Sequence, residues 1–183
     1  MNLNSHFNLQ RCIGCLAMVY SFLACSSPST DQANKSASQK ELSPQEVSEY
    51  LIEQNRAVIE AEFKAIREFV DSSGIAFNGL GNGMYVANVG GHGHTQIDTG
   101  QVVKVYSRIM NLYGETYMDG IHQDIRVLRD NDAIWGLQEA LIRAHLGDSL
   151  ICVIPASLAH GVSGDFGDIP PLTSLVYYLR ILQ

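Results

Sequence analysis

The residue types that could make or break a covalent bond are present in this sequence, but never in a working arrangement. Ser157 and His160 are close together, yet they share a Gly/Pro-rich stretch with no evident third member, and no Gly-x-Ser-x-Gly occurs. Asp148, Asp165 and Asp168 could gather carboxylates for hydrolysis, but acids in a Gly-rich segment usually form turns. His92 and His94 flank Gly93, and two imidazoles on a glycine loop lack a third metal ligand. Gly79-Leu80-Gly81-Asn82-Gly83 has the spacing of a phosphate cradle without the following helix or any Lys-Ser/Thr. Cys12 and Cys15 form a Cys-x-x-Cys inside a leader-like stretch, and Cys152 stands alone in an apolar strand, where it reads as a small hydrophobe. No cofactor and no metal are therefore expected. What remains is material for an apolar, aromatic hollow with a few hydrogen-bonding groups and no reactive atom.

The elements that must shape such a hollow can be read from spacing. Leu137, Ala140, Leu141 and Ala144 recur at i, i+3, i+4 and i+7, so they predict a short helix with one apolar face, stopped at Gly147-Asp148. Residues 149–154 are a β-branched run of strand length, and 175–182 read as a closing strand. Between them, residues 155–170 are too rich in Gly, Pro, Asp and Ser for regular structure. They nevertheless carry Leu158, Val162, Phe166 and Ile169, spaced as if to fold back over something apolar; loops this long are usually functional. Upstream, residues 75–77 and 84–89 suggest two short strands. Residues 101–110 alternate, with Val103, Val105 and Ile109 facing inward, and 113–118, 125–128 and the approach to Ile134 complete an antiparallel set. The resulting fold class is α+β, a curved antiparallel sheet wrapped on one short helix.

A long helix precedes this domain. Ser43-Pro44-Gln45-Glu46 is a capping box with proline at the first helical position, and Ser72-Ser73-Gly74 ends the pattern. Val47, Leu51, Val58, Ala61 and Ala65 form one apolar line, thickened by Tyr50, Ile52, Ile59, Phe63, Ile66, Phe69 and Val70. At 1.5 Å per residue the helix would be about 42 Å long. It could dock on its own domain, or residues 44–72 could form a homodimer contact or a client-gripping arm.

The order GL-x-EAL-x₅-GD, IP-x-x-LAHG, IPP and LVYYLRIL between Gly136 and Leu182 resembles the C-terminal half of the FKBP-type peptidyl-prolyl cis–trans isomerases. The preceding helix and the GLGNGMYV stretch look most like the lipoprotein FKBPs of gliding bacteria. The resemblance implies an isomerase domain over residues 75–183 and a pocket assigned residue by residue. Tyr106, Tyr117 and Tyr177 correspond to the aromatic walls, Leu137 to the floor, and Ala133-Ile134 to the apolar pair whose Ile N–H receives the substrate carbonyl. His160 takes the place of the usual Tyr, and Ile169 is the flap Ile before the prolines. Three positions depart from the pattern: Met118 stands where an Asp follows the aromatic, Leu137 replaces a Trp, and His160 replaces a Tyr.

Prolyl isomerisation needs no reactive atom. The barrier of about 18–20 kcal/mol is the resonance lost as the C–N bond twists. A site that holds the twisted amide better than the planar one lowers it by the difference, and a gain of about 10⁵ requires about 7 kcal/mol. The resemblance thus implies unfolded or proline-containing envelope polypeptides as substrates, with an FKBP-fold chaperone or accessory lipoprotein of a gliding or secretion machine as the alternative.

The address agrees with an envelope protein. Residues 1–24 carry Arg11 as their single charge and an apolar run too short to span a bilayer, which reads as a signal peptide. The run ends at Phe22-Leu23-Ala24-Cys25, which resembles a bacterial lipobox with Phe in place of the usual Leu, so Cys25 is the expected lipid anchor. A plain secretory signal and an uncleaved anchor are the other readings. Residues 25–42 are polar and form a tether, and the expected location is periplasmic, on the outer membrane. A net charge of −7 and a pI near 5.2 argue against nucleic acid as a partner.

Overall fold

A computed structural model describes residues 43–91, 93–129 and 133–182. The expected signal peptide and tether, with Cys12, Cys15 and Cys25, and His92 lie outside the described residues.

The first described element is α1, Pro44–Ser72, and its start follows the capping logic of the sequence. The Ser43 hydroxyl accepts from the Glu46 amide, and the Glu46 carboxylate accepts from the Ser43 amide at 2.7 Å. Two short strands follow, β1 (Asn78–Gly79) and β2 (Tyr85–Gly90), and then the long hairpin of β3 (Val102–Asn111) and β4 (Thr116–Arg126). The short helix α2 (Trp135–Leu141) leads into β5 (Ser149–Ile154), and β6 (Leu175–Ile181) closes the sheet. All pairings are antiparallel, in the order β1-β2-β5-β6-β3-β4, so the last strand in sequence lies in the middle. This is the α+β architecture expected from the sequence, a sheet wrapped on α2 with a long helix in front.

One face of the sheet holds the core. Val103, Val105 and Ile109 of β3, Leu150, Cys152 and Ile154 of β5, and Leu175, Tyr177, Leu179 and Ile181 of β6 are all buried, with Leu137, Ala140 and Leu141 of α2 packed on them. The helix comes very close: a Cβ on Gly136 would collide with the Ile154 side chain, so glycine is what lets α2 lie on β5. Cys152 is enclosed here, and burial pushes its thiol up to about 12, which leaves it inert.

Three segments differ from expectation. Residues 75–77 are not a strand, and pairing begins only at Asn78, opposite Val86. The two strands expected around residues 113–118 and 125–128 are one continuous β4. Asp119-Gly120, which reads as a break, is instead a bulge: Ser107 opposes Ile121 while Ile109 opposes Met118, and Gly120 takes φ +75°. Finally, α2 ends at Leu141 rather than at Gly147, because Leu146 donates to the Thr95 carbonyl and the chain turns to meet the 93–97 loop.

Candidate active site

β3 sets the parity of the site. Val103, Val105, Ser107 and Ile109 face inward and Tyr106 and Arg108 face outward, since successive side chains on a strand alternate. The bulge in β4 then turns Met118, Ile121 and Gln123 to the same side. On β6, Tyr177 opposes Ile109 and is buried. Burial, with Cys152 and Asp165 nearby, holds the Tyr177 hydroxyl protonated, well above the usual phenol range. These side chains form the walls of a hollow of about 180 Å³.

Helix and flap close it. Ala133 and Ile134 line the rim just before α2, and Leu137 is its buried floor. Ile134 is the N-cap of α2, and its carbonyl accepts from Leu137 and Gln138. Its own N–H makes no hydrogen bond to another described residue. The Gln138 side chain, buried on α2, accepts from the Leu128 amide at 2.9 Å and so ties the end of the β4 segment to the helix. Trp135 points to solvent and does not replace the floor.

The flap supplies His160, half-buried, and Ile169, buried. Ile169 is held by its own loop: the Asp165 carboxylate accepts from the amides of Gly167 at 2.8 Å and Ile169 at 2.9 Å, and Asp165 N–H donates to the Ile169 carbonyl. The amides of Ile169 and Gly167 hold the Asp165 carboxyl below the usual carboxylate range. The same turn throws Phe166 outward, 93% exposed at φ +60°, and Val162 is 78% exposed. Of the four apolar flap residues, Ile169 is thus buried and Leu158 partly so, while Val162 and Phe166 do not fold back over the core.

The structure therefore brings together Ile134, Leu137, His160, Ile169 and Tyr177, and does not bring Tyr106 or Tyr117 to them. Tyr106 lies on the opposite face of the sheet, edge-on to His122 with ring centroids 5.0 Å apart. Its neighbour Ser107 occupies the inward position. Tyr117 faces α1, beside Val58, Ala61 and Ala65, and its hydroxyl accepts from the Asn111 side-chain amide at 3.2 Å. Met118 is inward in its place. Sequence reasoning placed Met118 at the pocket only as a departure from the pattern, and missed Ser107, Ile121 and Gln123 as lining residues. The alternation of Val103 and Val105 carries the signal for Ser107, whereas nothing short of the bulge reveals that Met118 and Ile121 share a face.

Among the described residues no group of three or more His, Cys, Asp and Glu is placed to hold a metal ion. Asp148, a buried carboxylate outside the hollow, accepts from the amides of Gly93 and His145 and ties the two together.

No protein-family model and no curated protein matches the sequence. Solved structures do match. A peptidyl-prolyl cis–trans isomerase from Pseudomonas syringae pv. tomato superposes with a TM-score of 0.55 at 25% identity, over 68% of this chain and 93% of that one. FkpA from Escherichia coli gives a TM-score of 0.57 at 21% identity, over 80% of this chain and 75% of that one. The N-terminal domain of FKBP42 from Arabidopsis thaliana gives 0.53 at 15% identity, over 58% and 90%. The fold defined by the six-stranded sheet, α2 and the flap is that of the FKBP-type peptidyl-prolyl isomerases.

Proposed function

We propose that this chain is a peptidyl-prolyl cis–trans isomerase that acts on unfolded or assembling polypeptides of the cell envelope. The observation that carries the reading is the hollow itself: Leu137 below, Tyr177 at the wall, Ile169 and His160 above, and Ile134 at the rim with an amide free of described partners. A proline ring would sit among Leu137, Tyr177 and Ile169, and the preceding carbonyl would take the Ile134 N–H. A dry site favours the twisted amide, which has less charge separation and less need of water on its oxygen. His160 can donate one hydrogen bond from the flap. Exposed Trp135, Val162 and Phe166 lie on the same segments as the lining residues and offer apolar grip beyond the proline.

In this reading Cys25 carries the lipid anchor and the protein stands at the periplasmic face of the outer membrane, akin to the lipoprotein FKBPs of gliding bacteria. The N-terminal half of α1 supports a homodimer. Phe63 and Ile66 dock on the 79–85 segment, while the same apolar line continues through Val47, Leu51 and Val58 into solvent.

A second reading is an FKBP-fold chaperone or accessory lipoprotein with little turnover. It is favoured by the chemistry of the walls, where Ser107 and Met118 occupy the inward positions and Tyr177 is the single phenol among the described lining residues. The two separate in a peptide assay: acceleration of cis-to-trans conversion of a Xaa-Pro peptide that Ile169→Ala removes supports the isomerase, and equal rates with and without protein support the chaperone.

A further inference from the structure

Turned away from the hollow, the sheet carries a second and larger concavity, about 450 Å³. Its floor is a lattice of two tyrosines and two arginines. Tyr106 pairs with Arg180 across β3 and β6, and two residues along, Arg108 pairs with Tyr178. Residues two apart on a strand share a face, and directly opposite ones lie about 4.5–5.5 Å apart. Each guanidinium therefore has a phenol ring beside it both along its strand and across to the next. Val89 and Ile151 border the lattice and give it an apolar edge.

The charged side chains lining it are both arginines. Among the described residues no Asp, Glu or Lys lines the groove, although the chain as a whole has a net charge of −7. Arg108 is partly engaged by Asp119 at 3.0 Å, both side chains being about half exposed. Arg180 is exposed and makes no ion pair with a described residue. Concavities rich in Tyr and Arg and poor in Lys, Asp and Glu have the composition of protein-binding hot spots. Guanidinium forks match carboxylates, and the phenol rings give flat apolar contact at little entropy cost.

We propose that this outer face binds a polypeptide segment that carries a carboxylate side chain next to an apolar one. The Val47, Leu51 and Val58 line of α1 in a second copy does not offer this pairing. Glu49, Glu53 and Glu60 each follow Val47, Leu51 and Val58 by two residues, about 200° around the helix. A helix that pressed its apolar line into the groove would hold its acids away from the arginines.

The test is fluorescence anisotropy of the full chain with a labelled, proline-free peptide alternating Glu with Leu and Tyr, beside its counterpart with Lys for Glu. The Glu peptide is expected to bind saturably and to weaken at about 0.5 M salt. Arg180→Ser should weaken it about tenfold, with Arg180→Lys in between. Equal binding of the Lys peptide, or an unchanged affinity in Arg180→Ser and Tyr178→Ser, would overturn the proposal. Both substituted residues are exposed and outside the hollow, and the probe contains no proline, so the result is independent of isomerase activity.

Discussion

Glu62 and Ser174 are 112 positions apart in the chain, and in the fold the Glu62 Oε1 accepts the Ser174 hydroxyl proton at 2.6 Å. The same oxygen accepts from the Ala156 amide, also at 2.6 Å. Ala156 follows β5 and Ser174 precedes β6, so a single carboxylate on α1 ties both roots of the flap. Removing it strands a buried hydroxyl and a buried amide, and each lost bond to a charged group costs about 1–3 kcal/mol. Glu62→Ala should lower the urea midpoint accordingly, and Glu62→Gln, whose side-chain oxygen still accepts, should lower it less. An unchanged midpoint in Glu62→Ala would show that the clamp contributes nothing.

Asp165 positions rather than reacts. Its carboxylate orders the turn that sends Ile169 inward. Asp165→Ala should leave the melting temperature nearly unchanged, since the turn is at the surface, while turnover of a Xaa-Pro peptide drops. Asp165→Asn, which can still accept through its side-chain oxygen, should recover part of it. Full activity in Asp165→Ala would mean that Ile169 is held from elsewhere.

Acid stability depends on Asp148. Burial alone would raise its pKa, but hydrogen bonds from the amides of His145 and Gly93 and from the Asn88 side chain outweigh this and hold it below the usual 3.8. A carboxylate with a depressed folded-state pKa stabilises the fold fully above its unfolded value. That contribution is lost as pH falls below about 4 and through the folded value. Asp148→Asn should therefore be less stable than the parent at pH 7, with the gap narrowing below about pH 4 in denaturation series at each pH. A gap that stays constant with pH would contradict this account.

The overhang of α1 predicts association. Leu51 is exposed on the line that docks Ile66 further along. If two copies cover it, sedimentation at micromolar concentration should give a dimer that Leu51→Glu converts to monomer. A monomer at all concentrations would leave the overhang for clients.

How much of this could be read from the sequence depends on range. The capping box at Ser43, the β5 run and the amphipathic spacing from Leu137 are local signals; α1 and β5 are where they were expected, and α2 forms there but ends at Leu141, about two turns short of Gly147. Tyr106 was legible but misplaced: Val103 and Val105 facing inward require Ser107 inward and Tyr106 outward, and the likeness of an aromatic residue to a pocket wall outweighed that parity. The bulge at Gly120 and the outward turn of Phe166 depend on backbone torsions with no periodic signature. The Glu62 clamp joins residues 94 and 112 positions apart, which no spacing rule encodes.

The most direct measurement is the cis-to-trans rate of a chromogenic Xaa-Pro peptide with residues 43–183. The predicted result is an acceleration that Ile169→Ala largely abolishes while Tyr106→Ala, on the far face of the sheet, leaves it intact. No acceleration at any protein concentration, or loss in Tyr106→Ala with Ile169→Ala still active, would contradict the placement of catalysis in the hollow beneath the flap.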